Sequence, residues 1–177
     1  FERTLHRCAA HSDQALPATS GAEGDRRACL RDPEGNWIEI MERDPIDGIA
    51  GSDPCIVRPE LGAAVRFMRV SVPDLARARE TFIGAMGLSE VAGHSLHTPE
   101  HEALWGLRGA RTESALLRGG NFLVELVQYL SHQPKPRPEG YQICDQGFMN
   151  IAVGFKSPPE FDRAFAHATA HGMRPNG

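Results

Sequence analysis

The sequence predicts an α+β fold in which a βαβββ unit is the repeating element. Residues 64–130 carry, in turn, the patterns of a strand, a helix and three further strands. The same order begins again near residue 147 with a strand pattern and a helix pattern. Residues 1–11 match residues 161–171 without a gap, which indicates an internal repeat with a period of 160 residues.

The unit at 64–130 begins with an alternating strand, in which Met68 and Val70 share one face while Phe67 and Arg69 share the other. Apolar residues spaced three or four apart then predict an amphipathic helix. The short segment SEVAG adds a strand, and RTESALLR and NFLVELVQYL predict two more. We expect Gly119-Gly120 to form the two-residue turn between these last strands.

Two proline-containing segments after this unit predict a linker and the start of a further helix. SHQPKPRPEGY predicts a linker, because proline cannot donate a ladder hydrogen bond in a central strand. MNIAVGF then predicts a strand, and Ser157-Pro158-Pro159-Glu160 predicts a capping box that opens a helix. Phe161 and Phe165 lie on the apolar stripe of that helix.

The first 43 residues predict a helix followed by three strands, the last of them preceded by the tight turn of DPEGN. This order matches the end of a βαβββ unit, so residues 1–43 are interpreted as the C-terminal part of a first module. Residues 44–62 are interpreted as a linker, and residues 63–177 as a second module with one full unit (64–130) and the start of the next (147–177). The repeat period leads us to expect a tandem-repeat chain that is incomplete at both ends.

Composition and charge limit the kinds of partner and the cellular locations that the sequence favours. The net charge of -4 is modest and spread along the chain, which favours neither nucleic acid nor a membrane surface as a partner. No apolar run approaches the roughly 20 residues of a membrane span. The four cysteines are scattered, which favours reduced thiols and a cytoplasmic location.

Three motifs together carry a resemblance to a known superfamily: DPEGNWIEIME, VSVPDLARARETFIGAMGL, and GNFLVELVQYL followed by NIAVGF and a helix. In this combination the chain resembles the vicinal oxygen chelate superfamily, which includes glyoxalase I, extradiol dioxygenases and bleomycin-resistance proteins. The resemblance implies paired βαβββ units that form a cupped half-barrel of mixed sheet with helices on the outer face. It also implies a divalent metal ion (Fe, Mn, Ni or Zn) as a candidate cofactor in the cup.

The resemblance places Glu39 and Glu125 at carboxylate ligand positions, and so at candidate metal-binding and catalytic positions. Phe67 and Asn150 stand where the superfamily often has histidine ligands. Because phenylalanine cannot ligate and an amide oxygen is a weak ligand for a transition metal, these two are expected to contact substrate instead. The strand pattern agrees on orientation, since it places Glu125 on the face opposite the helix-packing side. The alternative is that both glutamates face solvent on half-exposed strands.

The segment HSLHTPEHEALWGLRGA supplies further candidates. Thr98-Pro99 predicts an N-cap and a first helical position, so the helix begins only after His97, which argues against a three-histidine metal site formed with His94 and His101. A short helix over the cup would offer Trp105 as an apolar wall and a histidine for acid/base work, and Trp105 and His101 are candidates for contact with substrate. The alternative is a surface loop with incidental histidines. Tyr129 is the last candidate for contact with substrate.

These observations lead us to expect a glyoxalase/dioxygenase-like protein that acts on a small organic substrate in the cup. A metal ion would act as a Lewis acid, as in a metal-dependent lyase, isomerase or ring-cleaving dioxygenase. The alternative is a metal-free binding protein of the bleomycin-resistance type. A small-molecule substrate is the expected partner, and a homodimer is considered as an assembly. The repeat also leaves open that Glu39 and Glu125 belong to different cups, and that the active site lies outside this chain.

Overall fold

The computed structural model describes residues 1–12, 14–15, 19–20, 26–47, 49, 64–93, 95–142, 152 and 154–174. These residues form eight strands and four helices. The strands are β1 (Gln14–Ala15), β2 (Thr19–Ser20), β3 (Arg26–Arg31), β4 (Trp37–Met41), β5 (Phe67–Ser71), β6 (Ser89–Glu90), β7 (Thr112–Gly119) and β8 (Phe122–Tyr129). The helices are α1 (Glu2–Ala9), α2 (Leu75–Arg79), α3 (Pro99–Leu104) and α4 (Pro158–Ala170), and α2 continues as a π-helix over Glu80–Ala85.

The described strands form two four-stranded sheets. In the first sheet, β3 pairs antiparallel with β4 along its length and with β1 and β2 at its two ends. In the second sheet the order is β5-β8-β7-β6, and β5 runs parallel to β8 while the other pairs are antiparallel. The α+β class predicted from the sequence is therefore confirmed, and the described part of the chain contains no closed barrel.

The strands of the second sheet and α2 follow one another along the chain in the predicted order of strand, helix and three strands. The parallel pairing of β5 with β8 places Arg69 beside Glu125. The two matched segments at 1–11 and 161–171 both form helices, α1 and α4. None of the described helices is long and apolar enough to cross a membrane.

The two faces of the second sheet bury different clusters, as the alternation of its strands predicts. Val124 and Leu126 of β8 pack with Leu75 of α2 in one cluster. Leu123, two positions before Glu125, packs on the other face with Leu96. Because successive side chains point to opposite faces of a strand, Glu125 lies on the side away from α2, as predicted.

Both predicted turns are present, and one is displaced by a residue. In DPEGN, the Asp32 carboxylate accepts from the backbone N–H of Asn36 at 2.7 Å, and Gly35 has a φ of 89°. Between β7 and β8, Gly119 still pairs with Phe122, so the turn residues are Gly120 and Asn121 rather than Gly119 and Gly120. A φ of 64° at Gly120 explains the shift, because the first central residue is the one that needs glycine.

Of the two helix starts predicted from the sequence, α3 begins as predicted, whereas α4 lacks the predicted capping hydrogen bonds. Thr98 is the N-cap of α3 and Pro99 its first residue, as predicted, and the His101 ring accepts from the Thr98 N–H at 3.1 Å. At α4 the predicted capping box is wrong. The Ser157 hydroxyl donates to the Glu160 carboxylate at 3.1 Å instead of accepting from the helix backbone. The strand predicted for MNIAVGF lies largely outside the described residues.

We expect Gly120→Ala to lower the free energy of unfolding by about 1–2 kcal/mol, because an alanine Cβ is strained at this positive φ. Gly119→Ala is the matched control, since Gly119 lacks a positive φ and a Cβ there would meet only Leu88, at 3.6 Å. Urea unfolding of the three proteins measures both effects. Equal stability of the two variants would contradict the assignment of the turn.

Candidate functional site

The imidazole of His97 lies between two carboxylates that come from different sheets. Its Nδ1 is 2.6 Å from Oε2 of Glu125 on β8, and its Nε2 is 2.8 Å from Oε2 of Glu39 on β4. The three side chains are 2%, 1% and 4% exposed, respectively. We call these residues the Glu–His–Glu cluster.

Other donors satisfy the remaining carboxylate oxygens. The Arg27 Nη1 donates to Oε1 of Glu39 at 3.2 Å and also to the Leu96 carbonyl oxygen. The Leu96 backbone N–H donates to Oε1 of Glu125 at 3.1 Å. Burying a carboxylate without such partners costs several kcal/mol, so these contacts are what permits two buried glutamates in one place.

A third buried carboxylate extends the cluster toward α3. Glu102 is 1% exposed and forms an ion pair with Arg69, and its Oε2 accepts from the Tyr129 hydroxyl at 3.0 Å. Arg69 also approaches Glu125, with its Nε 3.5 Å from Oε2. The guanidinium of Arg69 therefore connects Glu102 to the Glu–His–Glu cluster.

The contacts of His97 fix its protonation. An ionised carboxylate can only accept hydrogen bonds, so both ring nitrogens must donate, and this requires the imidazolium. Burial alone would lower the pKa of His97, but the hydrogen bonds and charges of Glu125 and Glu39 outweigh it and hold that pKa above its usual range. Burial likewise opposes ionisation of Glu39, yet His97 and Arg27 hold the pKa of Glu39 below its usual range.

With His97 protonated, the buried charges balance. The cations are Arg27, Arg69 and His97, and the anions are Glu39, Glu102 and Glu125. The low-dielectric interior raises the cost of any unpaired charge. The protein therefore neutralises its own buried carboxylates.

Aromatic rings surround the Glu–His–Glu cluster. The rings of Phe67, His101 and Trp105 have centroids 6.1, 6.2 and 6.2 Å from that of His97. Trp37 packs edge-to-face against Trp105 at 5.5 Å and is 39% exposed. The polar cluster thus has an aromatic wall whose outer edge reaches solvent at Trp37.

The arrangement does not fit the divalent metal that the resemblance implies. Ligand distances for zinc are about 2.0–2.2 Å, whereas the two carboxylates are held apart by an imidazole ring and a hydrogen bond on each side of it. One ion cannot contact both glutamates while His97 occupies this position. The buried atoms without a partner among the described residues are, except for one oxygen of Asp44, nitrogen donors of Arg27, Arg66, Arg69, His101 and Trp105, which cannot ligate as N–H groups. No metal-binding group of three His, Cys, Asp or Glu residues occurs in the described ranges.

The structure brings together most of the residues singled out from the sequence. The side chains of Glu39 and Glu125 are buried rather than facing solvent, and although they come from different sheets they contact the same histidine. The rings of Phe67 and Trp105 lie beside the Glu–His–Glu cluster, and His101 next to them is buried, with 4% of its surface exposed. Tyr129 contacts Glu102. Asn150 and His94 lie outside the described residues.

Sequence reasoning missed Arg27, Arg69 and Glu102, and it considered His97 only as part of a three-histidine metal site, not as a partner of the two glutamates. Arg69 could have been found, because it alternates onto the same strand face as Phe67. His97 gave no such signal, since it precedes the helix in an irregular segment whose path the sequence does not fix. Its partners Glu39 and Glu125 are 58 and 28 residues away along the chain.

Comparison with known proteins finds no family model, curated protein or solved structure that matches this chain. The candidate function therefore depends on the geometry of the site.

We expect the stability of the protein to fall as the pH rises above about 6.5, the usual pKa of histidine. A raised pKa in the folded state means that the stabilisation by His97 is complete below the unfolded pKa and is lost as the pH rises through the folded one. We expect a loss of roughly 1–3 kcal/mol, the cost of leaving a buried acceptor unpaired. Urea unfolding between pH 5.5 and 9 measures this.

His97→Asn should remove this alkaline dependence, and His6→Gln is the matched control because His6 is exposed on α1. The same alkaline slope in His97→Asn and in the unmodified protein would contradict the assignment of an imidazolium at His97.

Proposed function

We propose that this chain binds a small organic molecule between its two sheets, against the aromatic wall of the Glu–His–Glu cluster, without a metal ion. The observation that carries the proposal is the double hydrogen bond of His97 to Glu39 and Glu125. The His97 imidazolium supplies a positive charge between the two glutamates, where the resemblance implies a metal ion. This corresponds to the binding proteins of the bleomycin-resistance type that the sequence resembles.

Ligand binding is favoured over proton-transfer chemistry because the oxygens of both carboxylates already accept hydrogen bonds from the protein. Both oxygens of Glu125 and both of Glu39 accept hydrogen bonds, from His97 and either Leu96 or Arg27. A carboxylate whose charged form is stabilised in this way is a weak base, as the lowered pKa of Glu39 reflects. The aromatic rings, by contrast, offer the apolar surface that small-molecule sites commonly use.

Substituting Glu125 should change ligand binding if this site is used. We expect Glu125→Gln to weaken by at least about tenfold the binding of any ligand found at the site, because an amide cannot replace the charged partner of His97. Ligands come from a ligand-observed NMR screen of small aromatic and aliphatic compounds on the unmodified protein.

The matched control for this substitution is Glu113→Gln, which makes the same change at an exposed position on β7. Thermal unfolding establishes that both variants are folded. Ligands that bind Glu125→Gln and the unmodified protein equally well would contradict the proposed site.

A second candidate function is a metal-dependent lyase, isomerase or ring-cleaving dioxygenase that resembles glyoxalase I and the extradiol dioxygenases. One observation favours it: Glu39 and Glu125, at the two positions of carboxylate ligands in the resemblance, converge on a single residue. Binding of Fe, Mn, Ni or Zn by both glutamates would require His97 to leave its position.

Metal titration separates the two candidates. For the metal-free candidate, we expect the unmodified protein to bind none of Mn²⁺, Ni²⁺ or Zn²⁺ in calorimetry at micromolar concentrations, and His97→Ala to bind one ion through the freed carboxylates. Glu39→Gln introduced into His97→Ala should abolish that binding. One tightly bound ion in the unmodified protein would overturn the metal-free candidate and support the second.

We further propose a cytoplasmic location, which is supported by the free thiols of Cys8 and Cys29. Burial and the nearby Glu39 carboxylate raise the pKa of Cys29 to about 12, so its thiol stays protonated and unreactive at neutral pH.

A further inference from the structure

Several buried N–H donors near the Glu–His–Glu cluster have no hydrogen-bond acceptor among the described residues. They are Nε2 of His101, Nε1 of Trp105, Nε of Arg27, and Nε and Nη1 of Arg69. Buried donors are nearly always paired in proteins, with water or a ligand where the protein supplies no acceptor. Two of them belong to the rings of His101 and Trp105, whose centroids each lie 6.2 Å from that of His97, and this indicates a place for an acceptor atom.

The hydrogen bonds of His101 fix which of its ring nitrogens carries the proton. Nδ1 accepts from the backbone N–H of Thr98 at 3.1 Å. In a neutral imidazole the other nitrogen must then be the donor, so Nε2 bears the hydrogen that lacks a partner. Burial, with Arg27 and His97 nearby, lowers the pKa of His101 and keeps the ring neutral.

The rings of Trp105 and His101 both lie next to the ring of His97. They are four residues apart, at the end of α3 and within it, so their side chains share a helix face. Each ring lies 6.2 Å from the His97 ring. Arg27 comes from the other side, on β3, where its Nη1 already bonds Glu39 and its Nε is left over.

The charge balance selects an uncharged acceptor. The cations Arg27, Arg69 and His97 are already matched by Glu39, Glu102 and Glu125. An anionic ligand would bring an unmatched charge into the buried site, which is unfavourable. A ligand carbonyl oxygen has two lone pairs and no net charge, and the adjoining wall of aromatic rings suits an apolar body.

We propose that the ligand is an uncharged aromatic carbonyl compound whose oxygen accepts hydrogen bonds from Trp105 Nε1 and His101 Nε2, next to Arg27. The inference rests on the proposed binding function and names its ligand class. The donors, rather than a metal ion, recognise the carbonyl oxygen.

Indole NMR signals test this proposal directly, because the chain has two tryptophans. The probe is acetophenone, with toluene as the analogue without an acceptor and benzoate as the charged analogue. We expect acetophenone to move the Trp105 N–H signal downfield in a saturable way, toluene to leave it unmoved, and benzoate to bind more weakly than acetophenone. Trp37→Phe assigns the signals.

Substitution of the donor gives the second measurement. We expect Trp105→Phe, which keeps an aromatic ring but removes the N–H, to weaken acetophenone binding about tenfold. Phe165→Leu is the control, since it changes an exposed aromatic ring on α4 that is not part of the aromatic wall, and it should leave affinity within threefold. If Trp105→Phe does not fold, the comparison of acetophenone with toluene on the unmodified protein decides.

Two results would overturn the ligand class: acetophenone that leaves the Trp105 signal in place, or benzoate that binds tighter than acetophenone. Binding of other screened ligands that depends on Glu125 would, in that case, leave the proposed binding function standing. Failure of the binding function itself is recognised separately, by ligands that bind Glu125→Gln as well as the unmodified protein.

Discussion

The double hydrogen bond of His97 is the interaction on which the centre of this molecule depends. Glu39 lies on β4 of the first sheet and Glu125 on β8 of the second, and each sheet has its own internal pairing. The imidazolium connects the two carboxylates with bonds of 2.8 and 2.6 Å. It therefore links the sheets and neutralises charge at the same point.

The rest of the polar interior follows from that constraint. Two buried carboxylates and one imidazolium leave a net negative charge, which Arg27 offsets; Arg69 likewise offsets Glu102. The charged residues are thereby matched, while the ring N–H groups of His101 and Trp105 and nitrogens of Arg27, Arg66 and Arg69 have no acceptor among the described residues. Because the buried charges balance while some buried N–H donors lack an acceptor, we propose an uncharged ligand instead of a metal ion.

The parts of the fold that the sequence predicted correctly are those set by short-range chemistry. Alternation in β5 and β8 predicts the faces of Phe67 and Glu125, because side chains on a strand point to opposite sides in turn. Thr98-Pro99 predicts the start of α3 for a similarly local reason. The errors were local as well: the hairpin turn is displaced by one residue, and Ser157 bonds Glu160 rather than the helix backbone.

By itself, the sequence determined the α+β class, the strand–helix–three-strand order of residues 64–130 and the inward direction of Glu125. Tertiary structure alone decided that Glu39 and Glu125 meet, and that His97 lies between them. The physical reason is distance along the chain: periodicity describes neighbours within one element, whereas His97 lies 58 and 28 residues from its partners. Such contacts depend on how two sheets and an irregular segment pack, and their protonation follows from that packing.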